Sequence, residues 1–215
     1  FEVNNFDKRC KVEIKSLPFT IHSCPLHTGG IGLFYANHAV FKEPKSLAAA
    51  TATGVTDCNM IVASPHDPLR YPFTIAFHAP PGSFGPEIDG NERGNFTAPI
   101  SGFIEKCRDI AERVGLPVEM DVFIIGINVN SRRSAYLEKE LSKIVHFSKI
   151  RTQILELPGY KKGSWSVGEM RFLGDQIITS QQEFTCIDIH FLTLERFQGK
   201  KIVHVEGKGE NRGDN

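Results

Sequence analysis

The sequence predicts an α+β fold: a mixed, largely antiparallel sheet with two or three packed helices and a central helix-strand-helix-strand segment. Three observations carry this. Ile100, Phe103, Ile104, Cys107, Ile110, Ala111 and Val114 recur at spacings of three and four, which lines one face of a helix. The run VEMDVFIIGINV behind it is almost continuously apolar, as a strand covered on both faces must be. The first third and the C-terminal stretch are rich in short strand-like runs.

The elements follow in order. In CKVEIKSLPFTIHS, Val12 and Ile14 alternate with Lys11, Glu13 and Lys15, and Pro18 marks an edge strand or a break between two strands. GIGLFYANHAVF reads as a strand. EPKSLAAATATG is expected to be a helix, with Pro44 in its first turn and Gly54 as its stop. CNMIVAS and PFTIAFHA are the next strands. From Pro80 to Asn95 the chain is too crowded with Gly, Pro, Asn and Asp for regular structure and reads as a long loop.

The best-patterned helix then takes Thr97 as its N-cap, Pro99 in its first turn and Gly115 as its terminating glycine, with Pro117 blocking continuation. After the buried strand a second helix begins beyond NVNSRR, capped by Asn130, Ser131 or Ser134. Leu137, Leu141, Ile144, Val145 and Ser148 line its inner face. IRTQILEL is the following strand. WSVGEMRFL, DQIITS, EFTCIDIHFLTL and KKIVHVE read as an antiparallel meander.

Length and composition bound the rest. A chain of 215 residues, 40% apolar and 23% charged, buries a sizeable core and is not wholesale disordered. It reads as one globular domain over 1–206, with a subdivision near 80–95 as the alternative, followed by a Gly/charged linker or tail over 207–215. The start at Phe1 and that tail suggest a domain of a longer protein. Zero net charge removes any global reason to bind nucleic acid or an anionic membrane, and no apolar run is long enough to span a bilayer. The five cysteines are scattered without a framework spacing, which favours a reducing compartment and an intracellular, cytoplasmic or nuclear location.

Charge is uneven along the chain. From Pro86 to Asn130 eight acidic residues face four basic ones, and from Ser131 to Leu173 nine basic face four acidic. Solvated helix faces explain this most simply; opposed faces would also orient an encounter between copies.

Two clusters carry side chains capable of chemistry. In IHSCPLH, His22, Cys24 and His27 are metal-ligand types at close spacing, but no zinc pattern is reproduced. A strand end and turn is the reading adopted, and a Cys/His nucleophilic pair is a second alternative. In CIDIHF, Cys186, Asp188 and His190 alternate with apolar residues and share one strand face. Asp188 could orient His190 as a general base, and Cys24 could meet them across strands. The plainer account is a half-exposed strand with a polar outer face.

INVNSRR places Arg132 and Arg133 at a strand-to-helix junction, where helix N-termini attract anions. Glycine-rich phosphate signatures are absent there, and no cofactor is expected. Arg132, Arg133, Lys139, Lys143, Lys161 and Lys162 lie near Trp165 and other aromatics, the ingredients of an RNA or single-stranded DNA surface. The functional expectation is therefore a non-catalytic interaction or assembly domain of a larger intracellular protein, self-associating or bound to a protein partner, with no membrane role. The alternative is a nucleic-acid-binding or nucleic-acid-processing domain using that basic and aromatic surface.

Overall fold

A computed structural model of the chain describes residues 11–12, 20–35, 46–55, 57–67, 70–71, 73–90, 99–126, 129–156, 170–172, 176–178, 186–192 and 203–208. Its strands divide between two five-stranded sheets and a two-stranded ribbon. The first sheet has the spatial order β1 (Lys11–Val12), β2 (Thr20–Leu26), β4 (Ser46–Val55), β11 (Cys186–Leu192), β12 (Val203–Lys208). The second has the order β3 (Ile31–Tyr35), β6 (Phe73–Ala79), β5 (Asn59–Pro65), β7 (Val118–Gly126), β8 (Phe147–Glu156). The ribbon joins β9 (Met170–Phe172) to β10 (Gln176–Ile178). Three helices are described: α1 (Pro86–Asp89), α2 (Ile100–Val114) and α3 (Ser131–Leu141).

The fold is α+β. Among the described strand pairs β2–β4 and β7–β8 run parallel and the others antiparallel. The expected helix-strand-helix-strand segment is α2–β7–α3–β8, with α3 as the crossover that a parallel pair requires.

The second sheet is the middle layer. One face carries Ile61, Ile75, Phe77, Met120 and Ile124 against Phe103 and Cys107 of α2 and Leu137 of α3. The opposite face carries Met60, Val62 and Phe123 against Ala50, Ala52 and Phe191 of the first sheet. This explains the apolar character of β7: apart from the exposed Glu119, all of its residues are buried. Small residues on β4 leave room for large ones opposite, and the Phe123 and Phe191 rings meet with centroids 5.4 Å apart.

Some elements differ from expectation. EPKSLAAATATG contains no helix within its described part; Ser46–Val55 is a strand between β2 and β11. Alanine prefers helices by only a fraction of a kcal/mol per residue, and two strand neighbours outweigh that. The segment beginning at Pro80 is partly regular: Ser83 Oγ donates to the Pro80 carbonyl at 2.7 Å, and α1 adds one helical turn.

α2 ends as expected, with Gly115 in the left-handed region (φ 64°) and its N–H donating to the Ala111 carbonyl. Pro99, rather than Thr97, holds the N-cap position, and Thr97 lies outside the described residues. α3 stops at Leu141, so Val145 is 91% exposed and Ser148 belongs to β8. The chain must reverse here to lie parallel to β7, and tight turns bring Ile144 N–H onto the Leu141 carbonyl and Phe147 N–H onto the Ile144 carbonyl. The helical spacing continued in sequence beyond the point where the backbone could follow it.

Candidate functional site

The two sequence clusters are placed by the first sheet's register. His22 pairs with Ala48 and Cys24 with Ala50, while His190 pairs with Thr51 on one side and His204 on the other. Asp188 stands opposite Glu206 and Cys186 opposite Lys208. The row of Cys24 runs through Ala50 to Phe191, and the row of His190 runs through Thr51 to Pro25. His27 follows β2 in an exposed turn, in which Gly29 takes φ 82° and the Gly30 N–H returns to the His27 carbonyl at 2.7 Å. Buried His78 backs this turn, its Nδ1 donating to the Leu26 carbonyl at 3.0 Å. Among the described residues no group of three or more His, Cys, Asp or Glu is placed to hold a metal ion.

The basic residues scatter. Arg132 and Lys139 are exposed on α3, and Lys143 is held by Glu140 at 2.6 Å. Lys161, Lys162 and Trp165 lie outside the described residues. Arg133 is buried: its Nε donates to Asp89 Oδ1 at 2.7 Å, a terminal nitrogen donates to Asn59 Oδ1, and its guanidinium lies 5.5 Å from the Phe84 ring centroid. Asp89 also accepts from the Phe84 N–H at 3.1 Å. Asn130 caps α3 by accepting from the Arg132 N–H at 2.8 Å, and its amide donates to the Ile88 carbonyl at 3.0 Å. Arg133 thus braces α3, α1 and the start of β5. Nothing in the sequence paired Arg133 with Asp89, because 44 residues separate them.

A second polar group occupies the other end of the second sheet, around Asp121 of β7. Asp121 is fully buried and accepts from Nδ1 of the half-exposed His66 at 3.0 Å. On its other side lies Arg151 of the neighbouring strand β8, 3.6 Å from Asp121 Oδ1 and bonded to Glu119. Ser64 pairs with Asp121 across β5, and Thr74 Oγ1 donates to Ser64 Oγ at 3.4 Å. The bond from Arg151 holds the Glu119 carboxyl below its ordinary range, and the same bond raises the Arg151 guanidinium. The sequence did carry one signal for this cluster: Asp121 interrupts an otherwise apolar strand interior.

The cluster bears directly on β8. This ten-residue strand lies at the edge of its sheet, with β7 on one side and no partner on the other among the described residues. Edge strands commonly carry free lysines or arginines that discourage further pairing. Here Arg151 is drawn back onto Glu119 and Asp121 of β7. Beyond it Thr152, Gln153, Ile154 and Leu155 carry no charge, and Ile154 is 37% exposed.

Compared with known proteins, the chain matches no protein family and no curated protein. No helix among the described residues is long and apolar enough to cross a membrane.

Proposed function

We propose that this chain is a non-catalytic intracellular assembly module, and that it associates by strand addition at the outer edge of β8. The observation that carries this reading is the uncharged stretch from Thr152 to Leu155 on a long edge strand whose arginine is engaged elsewhere. Unpaired backbone N–H and C=O groups along such an edge supply affinity, and the side chains facing alternate ways supply register. Binding of RNA or single-stranded DNA has less support, since Arg133 is buried and Lys143 and Arg151 are engaged by carboxylates.

Sedimentation velocity over a range of protein concentrations tests the reading. Wild type is expected to associate reversibly as concentration rises. Ile154→Lys, which places a cation on the exposed edge, is expected to remain monomeric while keeping the wild-type circular dichroism spectrum. A wild type that stays monomeric at high concentration, or a folded Ile154→Lys chain that associates equally well, overturns it.

A further inference from the structure

The association proposed above leaves open which strand meets β8 and in what register, and β8 itself constrains both. We infer that β8 pairs with β8 of a second copy, antiparallel about a twofold axis through Thr152, and that the Glu119–Arg151 pair keeps this seam open. The inference rests on the assembly reading.

A twofold axis perpendicular to the sheet preserves its faces, so directly opposed residues must come from the same face. Register with β7 settles those faces. Lys149, Arg151 and Leu155 stand beside Glu119, Asp121 and Ile125, while Ile150, Thr152 and Ile154 stand beside Met120, Val122 and Ile124. Few registers survive. An axis through Arg151 sets that arginine against itself, and one through Ile150 sets Lys149 against Arg151; both oppose like charges, which destabilises a strand pair. An axis through Gln153 sets Ile150 against Glu156. An axis through Thr152 sets Ile150 against Ile154 on both sides, Arg151 against Gln153 and Lys149 against Leu155. An axis through Ile154 also joins isoleucine to isoleucine without opposing like charges, but it pairs only the residues from Thr152 to Glu156. The axis through Thr152 pairs those from Ser148 to Glu156 and joins isoleucines on both sides, so the longer seam is favoured.

The chosen register makes the two Arg151 residues diagonal neighbours across the seam. Free guanidiniums there would repel. Each is instead bonded to Glu119 and lies beside Asp121 of its own β7, which neutralises it and draws it off the seam. Salt or acid that loosens the Glu119–Arg151 pair therefore weakens the dimer as well.

Two measurements test this separately from association as such. Under mild oxidation Thr152→Cys is expected to give a disulfide-linked dimer, since on-axis residues approach within reach of a disulfide. Gln153→Cys is not, with oxidised wild type as the control for the native cysteines. In sedimentation, Glu119→Gln is expected to weaken dimerisation roughly 1.5- to 5-fold, the worth of an exposed ion pair. A wild type that never associates removes the underlying reading. A wild type that associates while Gln153→Cys cross-links and Thr152→Cys does not overturns the register alone. A Glu119→Gln dimer as tight as wild type overturns the role given to the ion pair.

Discussion

Arg133 of α3 and Asp89 of α1 share a 2.7 Å hydrogen bond with both side chains out of water. A buried ion pair need not add net stability, because both charges were desolvated to form it. Breaking it is another matter. Arg133→Met leaves the Asp89 carboxylate buried with its principal counter-charge gone, and the expected loss is about 3–5 kcal/mol. The double variant Asp89→Leu/Arg133→Met should lose less than the single one. Guanidinium unfolding midpoints of wild type and both variants check the order.

Phe123 and Phe191 hold the two sheets together. Both rings are essentially inaccessible, with centroids 5.4 Å apart. Phe123→Ala is expected to destabilise by about 3–5 kcal/mol, combining lost transfer energy with a cavity the alanines of β4 cannot fill. A loss under about 1 kcal/mol in urea unfolding would mean the sheets are not packed through this contact.

Gly126 ends β7 where the side chain of Asn59 crosses it, and an added Cβ would fall inside the Asn59 amide. That amide donates to the Cys58 carbonyl at 3.0 Å, and Asn59 Oδ1 accepts from Arg133, so the side chain cannot simply swing aside. Gly126→Ala should cost about 1–3 kcal/mol, as overpacking does. Thermal unfolding beside a Gly115→Ala control separates the two kinds of glycine. Gly115 is required for its left-handed backbone, not for close approach.

The Glu119 carboxyl lies below its ordinary range because Arg151 donates to it. Its contribution to stability is therefore fully present above the unfolded carboxyl value and is lost as pH falls through the lowered folded value. Urea midpoints measured from neutral pH downward should show Glu119→Gln less stable than wild type at first. The two curves should converge at the acid end. Parallel curves would remove the pair from the acid response.

Burial also pushes the Cys107 thiol upward, since desolvation disfavours the thiolate. Cys58, half-buried, is raised by desolvation and by Asp57, with Arg133 pulling the other way. At neutral pH, alkylation followed by peptide mapping should label Cys58 slowly and Cys107 only on unfolding. Rapid labelling of Cys107 in the native state would contradict its place between α2 and the sheet.

Sequence alone carried the local elements with unambiguous periodicity. The α2 stripe, its glycine stop and the two-sided burial of β7 follow from spacing and residue type, because their causes lie within a few residues. The α3 cap was narrowed to Asn130, Ser131 or Ser134, and the structure selects Asn130. Where spacing and pairing disagreed, pairing prevailed. The alanines before Gly54 became a strand through two neighbours that sequence could not reveal, and Val145 lost its expected inner position because the chain had to turn toward β8.

The candidate site divides in the same way. The residue types on β8 and the odd carboxylate of Asp121 were visible in the sequence. That Arg133 faces inward and that Arg151 bends back onto Glu119 were decided only when distant elements came together. Periodicity specifies which face of an element is apolar. Burial and pairing depend on which elements meet, and that is set by contacts between residues far apart in the chain.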